Sequence, residues 1–210
     1  MSKSPILLVG AGGHARACID VLEQEGRFVV AGLVGLPHEV GTRIVGSPVL
    51  GTDADLLTLL GDYVHALVSV GQIKTPEPRM RLFDLLEQSG CALPVIVSPR
   101  AYVSPHATLG AGTIVLHGAV VNAGAVVGRN CIINSQALVE HDAVIADHCH
   151  IATAAAINSG VHIGAGTFIG SNSSVRQCIK IGERCLIGMG QRVLVDCEAG
   201  TCMPPPKRPS

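Results

Sequence analysis

From Val103 an aliphatic residue returns at every sixth position, through Leu109, Val115, Val121, Val127, Ile133, Val139, Ile145, Ile151, Ile157, Ile163, Ile169, Val175, Ile181 and Ile187 to Val193, sixteen consecutive matches without a slip. Four residues after most of them stands a small side chain: Ala107, Thr113, Ala119, Ala125, Cys131, Ala137, Ala143, Cys149, Ala155, Thr167, Ser173 and Cys185. A period of six matches neither the 3.6 of an α-helix nor the 2 of a long strand. It predicts short parallel strands separated by tight turns, with one bulky and one small residue pointing inward per repeat. The composition agrees. Aromatic residues make up 2% of the chain and Trp is absent, so the core must stack from small and β-branched side chains.

The first hundred residues follow another rule. "PILLVGAGG" (5–13) reads as a buried strand ending in a glycine-rich turn, and "HARACIDVLEQE" (14–25) has helical spacing with Ala15, Cys18, Ile19 and Leu22 on one face. A second strand at "RFVVAGLVG", a helix near "DADLLTLL", a third strand at "YVHALVSVG" and a helix at "PRMRLFDLLEQSG" continue the alternation. It favours a small parallel-sheet α/β domain of Rossmann-like form. "ALPVIVSP" (92–99) leads out of it. The boundary is placed near residue 100, giving an α/β domain over 1–100 and an all-β parallel helix over 101–210.

The charge balance excludes several function classes. Fifteen basic against sixteen acidic residues, with no basic run, give no electrostatic footprint for nucleic acid or an anionic membrane. The apolar run in "MSKSPILLVGAGG" is too short for a signal segment or a spanning helix, so the expected location is the cytoplasm. Eight cysteines without a CxxC pair read as reduced thiols.

Chemistry concentrates in "VEHDAVIADHCH" (139–150). His141 adjoins Asp142, a carboxylate able to orient the imidazole and make it more basic, and Asn134 and Ser135 are placed near the same corner, one turn back. An imidazole so held could take the proton of an amine or hydroxyl attacking a thioester carbonyl, with a backbone N–H on the oxyanion. The same residue types also permit a metal site of His141, Asp142, His148 and His150, as in a zinc-dependent hydratase of the β-helix carbonic anhydrase kind. A third alternative is a binding or scaffold module with no chemistry.

The turn "VGAGGHA" (9–15) opens a helix with close backbone approach, a seat for phosphate at Gly12, Gly13 and His14. It lacks the full GxGxxG, and no acidic residue closes the second strand, which disfavours a whole NAD and favours a nucleotide-linked sugar. "SVGQ" (69–72) brings Gly71 and Gln72 to the same cleft, with Arg79 and Arg81 as possible phosphate partners or as solvated helix residues.

The sixfold rod together with "ILLVGAGGHA", "EHD" and a histidine nine residues on resembles the hexapeptide-repeat acetyltransferases of nucleotide-linked amino sugars, the sialic acid O-acetyltransferase-like group with its bacillosamine-pathway and perosamine N-acetyltransferases. The resemblance spans nearly the whole chain. It implies a left-handed triangular β-helix with three hexads per coil, so that Cys131, Cys149, Thr167 and Cys185 form one packed column. His141 would be the general base and Asp142 its orienting acid. His150 would help hold acetyl-CoA, along a groove passing Ser159, Gly160, Gly170, Ser171 and Gly188. It also implies a homotrimer with sites between neighbouring rods. The ending "GTCMPPPKRPS" departs from the usual one, which affects the contacts to the distal nucleotide of CoA, and "VGLPHE" stands where uridine-sugar members carry acidic residues, which leans toward guanosine. The expected reaction is N-acetylation of a 4-amino-4,6-dideoxy sugar nucleotide such as GDP-perosamine, without a resident metal; O-acetylation of a sugar stays open beside it.

Overall fold

The computed structural model describes residues 3–205. Strand β1 (Ser4–Val9) is buried over its last four residues and leads through the glycine turn into α1 (Gly13–Glu25). That helix buries Ala15, Cys18, Ile19, Val21 and Leu22, the face that the spacing predicts with one addition, and stops at Gly26, whose left-handed φ of 83° lets its N–H reach Leu22 O. Next come β2 (Phe28–Val34), the short ribbon β3 (Arg43–Ile44) and β4 (Ser47–Gly51), the single-turn α2 (Leu56–Leu59), β5 (His65–Val68) and α3 (Glu77–Gln88). The sheet order is β3-β4-β2-β1-β5. All its pairings are parallel except β3 with β4, so the expected parallel sheet carries one antiparallel edge. The departure follows from the tight turn at Val45 and Gly46, which joins two neighbouring strands too directly for a crossover.

The repeat region folds as anticipated, into two-residue strands stacked in register eighteen residues apart, as Val120 on Leu138 and Val121 on Val139. Three flat faces result. The first face runs from Ile96–Val97 through Ile132–Ile133, His150–Ile151 and Phe168–Ile169 to Cys202–Met203; the second includes Leu138–Val139 and Ala156–Ile157; the third includes Val126–Val127 and Val144–Ile145. The ladder begins ahead of residue 100, because Ile96–Val97 already pairs with Ile114–Val115. From Val115 to Cys185 the aliphatic residue of each hexad and the residue four further on are buried together, and the apolar ones form one continuous column of Val, Ile, Ala and Cys. Burying each Val or Ile contributes about 1.5 to 3 kcal/mol, so the stack is cooperative through neighbouring coils. The described cysteines are free, and Cys131, Cys149 and Cys185 lie within the packed interior.

The outward residues of the first face from Ile96 to Phe168 are buried. Ile96, Ile114 and Ile132 share a buried cluster with Ile6, Leu8, Ala15, Cys18, Ile19 and Leu22, so α1 is sandwiched between sheet and rod. The opposite side of the sheet packs Leu7, Val9 and Val68 against Leu82, Phe83 and Leu86 of α3. Among the described residues no helix is long and apolar enough to cross a membrane.

Candidate active site

Most turns of the rod pass through one residue with left-handed φ, and along the corner between the second and third faces these residues are Gly124, Asp142, Gly160 and Cys178. His141 precedes one of them and stands out from the rod, its side chain 59% exposed. Its backbone is pinned from both sides. The N–H of His141 donates to Glu140 Oε2 at 3.2 Å, Asn122 Nδ2 in the coil above donates to the same oxygen at 2.9 Å, and Gly160 N in the coil below donates to His141 O at 3.1 Å. The ring lies 2.9 Å from Asp142 Oδ2 through Nδ1. A carboxylate can only accept, so Nδ1 carries the hydrogen and Nε2 presents a lone pair outward. Ser159 and Gly160 stack directly below His141 and Asp142, one coil on.

His150 lies elsewhere. It faces outward from the first face, yet it is buried beneath the loop after β5. Nδ1 donates to Gln72 O at 2.7 Å and Nε2 accepts from Asn134 Nδ2 at 3.1 Å, so both nitrogens are engaged within the chain. Burial holds its pKa down to about 4, against the bond to Gln72 and with help from Arg79. His14, 6.3 Å away ring to ring, is held to about 3 by burial and then by the charge of Arg79 and by His150. Both rings are neutral at physiological pH.

Two cavities flank the glycine turn. One, of about 460 Å³, opens at the carboxyl end of β1 and is lined by Gly12, Gly13, His14, Gly71, Glu39 and Arg81 among others. The other, of about 450 Å³, lies toward the rod and is lined by Gly13, His14, Gly71, Gln72, Asn134 and His150. The close approach is built in at Gly10, where φ is 121° and a Cβ would meet Val70 at 2.6 Å.

Residues 5–84 match the model of the PglD N-terminal domain, and residues 160–190 match the bacterial transferase hexapeptide (six repeats). No curated protein sequence matches. Among solved structures, PerB from Caulobacter crescentus, in complex with CoA and GDP-perosamine, is 30% identical, with 96% of this chain and 94% of that one covered and a TM-score of 0.89. The chain belongs to the hexapeptide-repeat nucleotide-sugar acetyltransferases. It is an acyltransferase by family, and its rod is the left-handed parallel β-helix. The acetyltransferase domain of PglB from Neisseria gonorrhoeae FA1090, in complex with acetyl coenzyme A, is 29% identical over 96% of each chain, with a TM-score of 0.86. WeeI from Acinetobacter baumannii AYE, at 22% identity over 95% of this chain and 96% of that one, shares the fold, with a TM-score of 0.83.

Within this acetyltransferase the structure gathers Gly12, Gly13, His14, Gly71, Gln72 and His150 at the glycine turn, and His141, Asp142, Ser159 and Gly160 at the exposed corner. Gly170, Ser171 and Gly188 form a third group on the corner between the first and second faces. There the glycines also serve packing, since a Cβ on Gly170 would lie 2.4 Å from the backbone of Gly188. Several expectations are corrected. Asn134 and Ser135 lie on this last corner, not beside His141, because a step of six residues moves the chain to a different face. Arg79 is no phosphate ligand: it is 1% exposed, and its guanidinium donates to Val70 O at 2.5 Å and to Asn130 O and Oδ1 at 2.7 Å each. His148 does not join His141 as a metal ligand; its Nδ1 meets Asn130 Nδ2 at 3.0 Å and its ring packs edge-on against Phe83. Among the described residues no group of three His, Cys, Asp or Glu side chains could hold a metal.

The sequence reading missed Glu39 and Asp53. The 3₁₀ turn Pro37–Glu39 folds Glu39 back so that Oε2 accepts from Leu36 N at 2.7 Å on the cavity wall, and Asp53 pairs with Arg81 at 2.6 Å. A proline three residues beyond β2, followed by an acid, was the available signal. The last five residues of "GTCMPPPKRPS" lie outside the described residues.

Proposed function

We propose that this acetyltransferase moves the acetyl group of acetyl-CoA onto the 4-amino group of a nucleotide-linked 4-amino-4,6-dideoxy sugar such as GDP-perosamine, working as a cytoplasmic homotrimer in surface-polysaccharide synthesis. The observation that carries this reading is the His141–Asp142 pair on an uncovered corner, one nitrogen fixed and the other free. The amine attacks the thioester carbonyl while His141 Nε2 accepts its proton; a C–N bond forms and the carbonyl π pair moves to oxygen. Collapse of the tetrahedral adduct breaks the C–S bond. His141 returns the proton to the departing thiolate, so no acyl-enzyme and no net proton uptake is needed.

Gly12, Gly13 and the start of α1 offer backbone N–H groups to the pyrophosphate of the nucleotide sugar, with Gly71, Gln72 and the neutral His14 around the remainder of that acceptor. Ser159 and Gly160 on one corner and Gly170, Ser171 and Gly188 on another are the proposed walls for CoA, with His150 braced between Gln72 and Asn134 at the seam. His141 lines neither cavity of its own chain, because the amino-terminal unit covers the first face and His141 projects from the corner of the other two. A sugar held by one chain's glycine turn would therefore meet the His141 of another copy, which supports the trimer. The test is release of CoA thiol by purified protein across GDP-, UDP- and dTDP-linked 4-amino and 4-hydroxy sugars. Release with a 4-amino nucleotide sugar is the expected result; release with hydroxyl acceptors alone would make it an O-acetyltransferase, and no release with any acceptor would leave a binding module.

A further inference from the structure

We infer that Gly124, one coil above Asp142, is a positioning residue of the acetyl transfer: its missing side chain leaves the space in which the Asp142 carboxylate sits while it holds His141. The inference rests on reading His141 and Asp142 as the acid–base pair.

Gly124 and Asp142 occupy the same turn position eighteen residues apart and are therefore stacked. A Cβ built on Gly124 would lie 2.4 Å from Asp142 Oδ1, but 3.5 Å from its Cγ and 3.6 Å from its backbone N. The collision is confined to the movable end of one side chain. Asp142 cannot follow by shifting its backbone, because its N–H is tied to Ala123 O at 3.2 Å. The carboxylate must swing, and among the described residues its one side-chain hydrogen bond is the 2.9 Å contact to His141 Nδ1. A methyl group at position 124 thus acts on the imidazole through the carboxylate.

Turn geometry alone does not require this glycine. Gly124 has φ of 73°, yet the equivalent turns hold Asn130, Gln136, Asp142, His148, Ala154 and Asn172 at φ between 51° and 62°. The rod accepts side chains at this conformation, so the demand for none at position 124 comes from what lies beneath it. Gly118 gives the matched control: its φ is 70°, and a Cβ there would meet only Gln136, at 3.5 Å from Cγ.

The test compares Gly124→Ala, Gly118→Ala, Asp142→Ala and the Gly124→Ala/Asp142→Ala double variant, in steady-state acetyl transfer to the amino-sugar nucleotide the wild type accepts, with melting temperatures alongside. Gly124→Ala should lower kcat on the order of 10-fold to 10²-fold with both KM values near wild type, since a group is misplaced without loss of binding. Gly118→Ala should share any loss of melting temperature and keep its kcat. On the Asp142→Ala background the added methyl should change kcat by less than about twofold, because the carboxylate it acts on is gone. A Gly124→Ala enzyme with wild-type kcat, an equal loss in Gly118→Ala, or losses that multiply in the double variant would each overturn the inference while leaving the His141–Asp142 pair intact. Undiminished turnover in His141→Ala would instead remove that pair, and this inference with it.

Discussion

Along the first face of the rod, under the amino-terminal unit, the His150 imidazole is enclosed with both nitrogens occupied, whereas His141, on the corner where the other two faces meet, is 59% exposed and, among the described residues, keeps one nitrogen free. The repeat offsets alone would not separate the two, since neither is an inward position. The difference is made by cover. Where α1 and the loop after β5 lie on the rod, outward positions become interior ones and their polar groups must find partners inside the chain. Where nothing covers the rod, a histidine can stay reactive. On the proposed reading, chemistry and cohesion fall on different sides of the same triangular stack.

The sharpest way to break this comparison is to remove the free imidazole. His141→Ala should lower kcat on the order of 10² to 10⁴-fold while leaving the melting temperature near wild type, because the ring packs against nothing it supports. A variant that loses fold instead of rate would place His141 with the seam residues.

On the covered side the largest effect belongs to stability. Among the described residues Arg79 is a buried cation with no carboxylate partner, held by the carbonyls of Val70 and Asn130 and by Asn130 Oδ1. Burial draws its pKa down to about 10, so it stays charged at neutral pH. Arg79→Met removes a costly buried charge, but strands these acceptors at the junction of α3 and the rod. The stranded groups should dominate, for a net loss of about 3 kcal/mol in denaturant unfolding. A neutral result would mean that desolvation of the guanidinium cancels its bonds.

The seam should also respond to pH. His14 and His150, and in direction His148, have folded pKa values below the ordinary 6.5, all with burial as the main cause. The unfolded chain therefore binds protons near 6.5 that the folded chain refuses. Their stability contribution is complete above that value and is lost as pH falls toward about 4 for His150 and about 3 for His14. The slope is at most about 1.4 kcal/mol per pH unit for each imidazole. Urea midpoints should fall between about pH 7.5 and about pH 5, and more gently in His14→Phe. A flat response would show that these rings are protonated or solvated in the folded protein.

Asp142→Asn tests the exposed side more finely. The amide keeps the shape and loses the charge beside His141, so turnover should drop about tenfold, less than for His141→Ala. A larger loss than at His141 would reverse their roles.

How much of this was legible follows from what kind of pattern each feature leaves. The rod was readable because a column residue recurs every six positions and every Val, Ile, Ala and Cys in it has the same reason to be there. His141 and Asp142 were readable as neighbours whose side chains reach each other within one turn. The fate of Arg79, His148 and His150 was not, since Arg79 meets Asn130, His148 packs on Phe83 and His150 meets Gln72, each a contact between the two units across fifty to eighty residues, and no local spacing encodes that docking. Glu39 stayed hidden for a related reason: a single 3₁₀ turn decides whether its carboxylate faces the cavity.

The mildest prediction concerns a contact that looks catalytic and is not. Ser98 Oγ lies 2.5 Å from His117 Nδ1, and His117 Nε2 lies 2.8 Å from Asp20 Oδ2, the order of a Ser-His-Asp relay. The serine is 1% exposed and its oxygen already accepts from Arg100 N at 3.0 Å, so no carbonyl can approach it. The relay ties α1 to the first coil. Asp20 is largely exposed, and its pKa lies below the usual carboxylate range through bonds to Gln24 and then His117. Screening by solvent keeps such a pair near 0.5 kcal/mol, so Asp20→Asn should shift stability by about that amount and leave acetyl transfer unchanged. A change in kcat instead would mean that the angle between the amino-terminal unit and the rod, which this contact helps to set, governs how the sugar is delivered to the neighbouring corner. The separation of cohesion from chemistry would then be incomplete.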